Sequence, residues 1–375
     1  MDKTLFKSYI LDYMDLLSAY FDKRPPREVR IDNEKLSFYI KLSKFHSLSA
    51  LLYKAIKETE VFVDESLLKQ LEESYYANVR KCLLFDNERK ELYKYLNDNK
   101  IDYLPLKGII IKEYYPDPST REFADNDILF DDKGKTIVRD FFKSRGYEIK
   151  QFNKSNHDVY LKKPFFNFEM HRVLFEKADW NKTVLSYYDN LLSQSPIKEG
   201  YEHELKLEDF YLYFTMHSYK HYQGSGCGLR TLVDYYLFLK GTNLDFAYIN
   251  KELESLGFLD FSLDIIELVK GLFGSHHLTD KQEELLLYIA SSGTYGTIDH
   301  SVSKGVKKKG KLGYIMSRVF PPISAYKILY PWAYKHHILI PIAWFLRLCR
   351  GLFKQHGKTK NELKSINKHK KDKNV

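Results

Sequence analysis

The sequence predicts an α+β protein, a small mixed sheet held between helical segments. Three observations predict it. Apolar residues recur at helical spacing over residues 4–100 and again over 206–292. Between them, residues 101–178 alternate short apolar runs with short helical stretches and Gly or Pro stops. The 375 residues are 44% hydrophobic and 29% charged, as in a folded globular chain, and 15% aromatic residues supply bulk for a core.

Leu5, Ile10, Met14, Leu17 and Phe21 share one helical face. Leu36, Tyr39, Ile40, Phe45, Leu48, Leu51 and Leu52 repeat the pattern, and a third helix is expected over about 64–97. Residues 101–106 form an apolar run ended by Lys107-Gly108, and a short helix over 109–115 is broken by Pro116 and Pro118. Residues 123–130 read as a strand, 135–145 as a helix stopped by Gly146, and 147–152, 157–161 and 165–175 as further strands. The regions expected are N-terminal helices (1–100), an α+β core (101–178) and C-terminal helices (179–300). A basic, aromatic extension (301–353) follows, opening on a Gly/Lys-rich linker at 301–313, and then a Lys-rich, disordered tail (354–375).

Charge is unevenly spread. Of the 59 Lys/Arg, 18 fall in residues 304–375 against 2 of the 50 Asp/Glu, a net of +16 there. Residues 1–303 hold 41 basic and 48 acidic residues, a net of −7. Such a body is a poor general nucleic-acid binder, because phosphate neutralisation needs clustered cations. The basic segment suits an anionic membrane, RNA or an acidic protein. Cys82, Cys227 and Cys349 form no CxxC pair, which argues against a disulfide framework or structural zinc site and for a reducing compartment. No signal peptide is expected after Met1-Asp2-Lys3, and no apolar run reaches the ~18 residues of a membrane span.

Asp125-Asn126-Asp127 lies in the strand expected over 123–130, so Asp125 and Asp127 share a face with Cα atoms roughly 6.5–7 Å apart. Two such carboxylates can share divalent cations for phosphoryl transfer; a solvated strand end is the plain alternative. In Phe168-Glu169-Met170-His171, Glu169 and His171 share the polar face. Placed beside Asp125 and Asp127, Glu169 would complete a three-carboxylate cluster and could help deprotonate an attacking hydroxyl. Lys107-Gly108 before a helix lets a phosphate approach the backbone, with Lys107 as a cation for a triphosphate. Arg121 is a second candidate phosphate ligand, or a surface ion pair.

Leu104-Pro105-Leu106-Lys107-Gly108, then Tyr115-Pro116-Asp117-Pro118, Arg121 and Asp125-x-Asp127, resemble the uncharacterised nucleotidyltransferase family of the DNA polymerase β-like superfamily. Phe168-Glu169-Met170-His171-Arg172, His217-Ser218-Tyr219-Lys220-His221 and Leu229-Arg230-Thr231-Leu232-Val233-Asp234 continue the likeness, which covers about residues 30–290. The resemblance implies a polymerase β-like core with Mg²⁺ or Mn²⁺ on Asp125, Asp127 and Glu169, and a nucleoside triphosphate as substrate. It places His171, His217, Lys220, His221, Arg230 and Asp234 around the nucleotide cleft, beside Lys107, Gly108 and Arg121. The acceptor hydroxyl, on a protein, tRNA, a sugar or a small molecule, would attack the α-phosphate and release pyrophosphate. The expected location is the cytoplasm or the inner face of the membrane. Two departures stand out. The wider superfamily has Gly-Ser where this chain has Lys107-Gly108. Asn126 stands where the family usually has an aliphatic residue, and burying its amide unpaired would cost about 1–3 kcal/mol, so a hydrogen-bond partner is expected. Asn126 and the basic tail keep a second reading open, a non-catalytic nucleotide-binding or scaffold protein. An enzyme adding nucleotides to RNA is a third.

Other motifs carry less. His217 and His221 lack the Glu of H-E-x-x-H. Residues 305–312 approach a phosphate loop, but Leu312 lacks the Mg²⁺-binding hydroxyl. Residues 336–353 fit either a helix packed on the body or a membrane-surface segment.

Overall fold

The computed structural model describes residues 2–176, 179–224, 226–275, 277–294, 296–353 and 356–368. The chain divides into two compact units, Met1–Tyr219 with Gly228–Thr294, and Lys220–Cys227 with Tyr295–Val375.

The first unit opens with α1 (Lys3–Asp22), α2 (Asn33–His46), α3 (Ser49–Glu58) and the long α4 (Glu65–Asp98). Asp2, Asp32 and Asp64 cap α1, α2 and α4, each carboxylate accepting first-turn N–H groups that have no partner within the helix. The α+β core follows: β1 (Tyr103–Pro105), α5 (Gly108–Ile111), β2 (Asn126–Phe130), α6 (Lys135–Ser144), β3 (Glu148–Gln151), β4 (His157–Lys162) and β5 (Phe166–His171). After α7 (Lys182–Tyr187) and α8 (Leu191–Gln194), two short strands not foreseen from the sequence, β6 (Ile197–Glu199) and β7 (Glu202–His203), extend the sheet. Its order is β3-β4-β5-β2-β1-β7-β6. The expected α+β class with flanking helices is borne out.

β2 and β5 run parallel at the centre of the sheet. One face of the sheet, with Ile128 and Phe130 of β2, Tyr160 of β4 and Phe168 and Met170 of β5, packs on Phe85, Leu92 and Leu96 of α4 and on Val138, Phe141 and Phe142 of α6. Side chains alternate along a strand, so covering this face sends the intervening residues, Asp127, Glu169 and His171, to the other. The strand read over 123–130 begins only at Asn126, and the one read over 165–175 ends at His171.

The unit continues through α9 (Leu207–Gln223), α10 (Leu229–Gly241), α11 (Phe246–Leu256), α12 (Leu259–Lys270) and α13 (Asp280–Ser292); the last residues of α9 fall in the second unit. His46, at the end of α2, is buried. Its Nδ1 accepts the first N–H of α10 from Leu229 at 3.1 Å, and its Nε2 donates to the Ala290 carbonyl at 3.0 Å. A side chain at Gly228 would sit within 2.8 Å of that Nδ1, so the absence of a Cβ there permits the cap.

The second unit holds α14 (Ile298–Val319), α15 (Tyr326–Leu329), α16 (Pro331–Lys335), α17 (Ile340–Phe353) and α18 (His356–Lys368). Two sequence readings change here. The linker expected at 301–313 is helical within α14, interrupted only at Gly310, where φ is +71°. Residues 356–368 of the expected disordered tail form α18, and residues 354–355 and 369–375 of that tail lie outside the described residues. The reason is mutual packing: Val302, Tyr314 and Ile366 bury one another, and Glu362 accepts from Tyr314 at 2.7 Å and Arg318 at 2.6 Å. Among the described residues no helix is long and apolar enough to cross a membrane.

Candidate functional site

The parallel register of β2 and β5 sets Asp127 opposite Glu169 and Asn126 opposite Phe168. Asp125 immediately precedes β2. Antiparallel β4 then sets His157 opposite His171. Asp127 and Glu169 thus meet on the face turned away from α4 and α6, with two imidazoles beside them, and the charge of Asp125, just outside the strand, acts on Glu169 as that of Asp127 acts on Asp125.

Asp127 is buried, and its Oδ1 takes two donors. Lys107 Nζ donates to its Oδ1 at 2.7 Å and His171 Nε2 donates to the same oxygen at 2.8 Å. Burial would raise this carboxyl, but Lys107 and then His171 outweigh it and hold Asp127 far below the usual carboxylate range. Its neighbours go the other way. Burial, then the charge of Asp127, raises Asp125, and burial, then Asp127 and Asp125, pushes Glu169 up to about 7. One member of the cluster is a firm anion and another sits near neutrality, a division suited to cation binding by one and proton transfer by the other.

Lys107 reaches Asp127 from a backbone with φ +47° and ψ −117°, a region that non-glycine residues rarely occupy. The Leu106 N–H donates to the Asp127 carbonyl at 3.0 Å, tying this turn to β2. The helix expected after it is one α-turn, α5, followed by a 3-10 turn at Lys112–Tyr114. That is too short to sum a long helix's dipole, so the positive charge at this turn is that of Lys107 itself.

Arg121 lies elsewhere than at a surface ion pair. It is 6% exposed, and its Nε and Nη2 each donate to a different oxygen of the Asp234 carboxylate at 2.8 Å. Tyr115 donates to Asp234 Oδ1 at 2.7 Å. A Cβ on Gly108 would lie 2.5 Å from Arg121 Nη1, so the glycine of the Lys-Gly turn makes room for this guanidinium. Arg230, one turn before Asp234 on α10, donates to the Glu122 carbonyl. The two α10 residues that could have paired with each other instead fasten the 115–122 loop in front of β2.

Asn126 is fully buried and has the partner that its chemistry requires. Arg89, in the C-terminal half of α4, donates to its Oδ1, and its Nδ2 donates to the Asn167 carbonyl at 3.3 Å. Arg89 also pairs with Asp86 on its own helix. A polar pair through the covered face of the sheet thus replaces an aliphatic contact, which is the physical account of the Asn in this Asp-x-Asp strand.

Three carboxylates offer the oxygen donors that Mg²⁺ or Mn²⁺ takes, and a shared cation would relieve the repulsion that raises Asp125 and Glu169. The residues therefore fit a divalent cation. His157, Glu169 and His171 place potential ligand atoms within 4.8 Å of one another, a nitrogen-containing set better matched to Mn²⁺ or Zn²⁺ than to Mg²⁺. Sequence reasoning passed over His157 because a lone His at a strand start carries no local signal. Tyr213 of α9 was missed too; it is buried and feels the charges of Lys107, Asp127, Glu169 and Asp125. His217, one turn along α9, lies with its ring 6.2 Å from that of Tyr213. Lys220 and His221 belong to the second unit.

No curated protein and no solved structure matches the chain. A family model does match, over residues 32–274, a span that contains the three carboxylates, Lys107-Gly108, Arg121 and α10. The resemblance carried by those motifs is thereby borne out: the chain belongs to the uncharacterised nucleotidyltransferase family.

Proposed function

We propose that this chain transfers a nucleoside monophosphate from a nucleoside triphosphate to an acceptor hydroxyl. The observation that carries the reading is the pairing of Asp127 with Glu169 across adjacent parallel strands, with Asp125 immediately before β2 and Lys107 reaching in from the glycine turn. Asp125, Asp127 and Glu169 would hold Mg²⁺ or Mn²⁺, which when bound supplies charge neutralisation at the phosphoryl oxygens. The acceptor oxygen attacks the α-phosphorus, the bond to the bridging α–β oxygen breaks, and pyrophosphate leaves with those electrons. Glu169, whose affinity for protons is raised by burial and its neighbours, takes the acceptor's proton. Lys107 is the cation for the departing phosphates. Arg121, enclosed by Asp234 and Gly108, acts as a positioning residue that anchors the loop before β2. The acceptor is a protein, a tRNA, a sugar or a small molecule, and a cytoplasmic setting supplies the triphosphate.

The test is incubation with each labelled nucleoside triphosphate and Mg²⁺ or Mn²⁺, with cell extract as the source of acceptor. The expected result is a labelled product with pyrophosphate release, lost in Asp127→Asn while the melting curve is retained. Turnover that persists in Asp127→Asn, or none with any triphosphate, overturns it.

One observation favours a second reading, a nucleotide-binding protein without turnover. The Lys107 ammonium already neutralises Asp127 where a cation would sit. This reading predicts nucleotide binding in EDTA that Asp127→Asn leaves unchanged.

A further inference from the structure

Residues 300–361 contain 13 Lys/Arg and no Asp or Glu. Within this stretch α17 turns its apolar side outward. Ala343 is fully buried against Tyr326 and Ala333, with Ile340 and Trp344 packed around them, so this side of the helix forms the inner face. Trp344 Nε1 donates to the Val319 carbonyl at 2.8 Å and Arg347 to the Arg318 carbonyl at 2.9 Å, which fixes the helix's rotation. The outer face then carries Ile342, Phe345 and Leu346, continued by Ile338 just before the helix, at 54%, 60%, 45% and 87% exposure. Their i, i+4, i+7 and i+8 spacing makes one stripe. A soluble helix puts charges there.

We propose that the second unit docks on an anionic lipid bilayer, the outer stripe of α17 entering the boundary between headgroups and acyl chains while the surrounding cations meet lipid phosphates. Charge and shape select this occupant. A second copy would bring another net +16 segment against the first. A nucleic acid would satisfy the cations but leave four large aliphatic and aromatic side chains in water. A bilayer with acidic headgroups satisfies both. At 14 residues α17 is about 21 Å long, short of the ~30 Å hydrocarbon core, so it lies on the bilayer and does not span it. The inference is independent of whether the carboxylate site turns over.

The experiment is flotation of the full chain with vesicles of phosphatidylcholine alone or with 30% phosphatidylglycerol, at low salt and at 0.5 M NaCl. Trp332 and Trp344, two of the three tryptophans, report insertion through a blue shift and quenching by brominated acyl chains. The expected result is at least tenfold stronger binding to the phosphatidylglycerol vesicles, weakened by salt, with Trp quenching. Ile342→Glu/Phe345→Glu, at exposed positions, should abolish quenching while circular dichroism and elution volume stay unchanged. Lys307→Gln/Lys308→Gln/Lys309→Gln should weaken binding and flatten its salt dependence. Failure to float at low salt, floating without quenching, or undiminished binding by the double Glu variant overturns the proposal. So does an elution volume showing that the wild type is a dimer which the Glu variant splits, or RNA binding that the Glu variant weakens equally.

Discussion

Asp127 and Glu169 stand directly opposite one another on parallel β2 and β5, 42 positions apart in sequence. Asp127 is stripped of its proton by Lys107 and His171, and its charge helps Glu169 hold one. The consequences of that relationship can be measured.

Glu169→Gln keeps the shape of the cluster and removes the proton acceptor. Loss of a general base lowers turnover by about 10²–10⁴-fold. Nucleotide affinity, measured by calorimetry, should change far less than the rate of pyrophosphate release. Equal losses in both would assign Glu169 to binding alone.

Lys107→Met leaves Asp127 buried with His171 as its remaining partner. Breaking a buried pair costs about 3–5 kcal/mol, and the lower end is expected because Lys107 is partly exposed and His171 stays. Urea denaturation gives the loss. If a divalent cation can replace the ammonium, millimolar Mn²⁺ should raise the melting temperature of the variant more than that of the wild type. No difference between the two would speak against a cation on Asp127.

Asn126→Ile strands the Arg89 guanidinium, and Arg89→Met strands the Asn126 amide. Each single change should cost about 1–3 kcal/mol, the penalty for a buried polar group without its partner. The double variant should recover much of that, since both polar groups then leave together. Purely additive losses would show that the pair does not act as a unit.

Gly108→Ala drives a methyl group against Arg121 Nη1. A free arginine tip would swing away, but this one is buried and clamped by both oxygens of Asp234. Overpacking here should cost about 1–3 kcal/mol. Arg121→Ala in the same background should remove the clash, so that adding Gly108→Ala to it changes stability little.

His46 gives a pH dependence separate from the site. Burial, partly opposed by the bond to Ala290, lowers it from 6.5 to about 4 in the folded chain. Above pH 6.5 both states hold a neutral ring and stability is full. As pH falls from 6.5 to 4 the unfolded chain binds the proton first, so stability drops, by on the order of 3 kcal/mol in total. Denaturant titrations across that range should show the fall in the wild type and a shallower one in His46→Gln. Parallel curves would exclude the histidine.

The alternation in Phe168-Glu169-Met170-His171 gave Glu169 its polar side, whereas the alternation that set Asp125 on the face of Asp127 assumed a strand that in fact starts at Asn126. The Lys-Gly turn and the order of helices were also legible, because caps, stops and periodicity are local. Arg121 was not: its partner Asp234 lies 113 positions away, and nothing local joins the two. Arg89 was equally hidden, one cation on a long charged helix whose burial depends on which side meets the sheet. In the second unit, Lys-rich segments that read as linker and tail became helices because Tyr314, Arg318 and Glu362 found one another.

By itself, then, the sequence determined the class of the fold, the family and the acidic face, since periods of two and of 3.6 residues are written into neighbouring positions. Only the tertiary structure decided that Asp127 answers to Lys107 and His171, that Arg121 is sealed behind Gly108, and that Asn126 rests on Arg89. Those are contacts between segments 13 to 113 positions apart, and strand order, register and burial, which set them, arise only when the whole core packs.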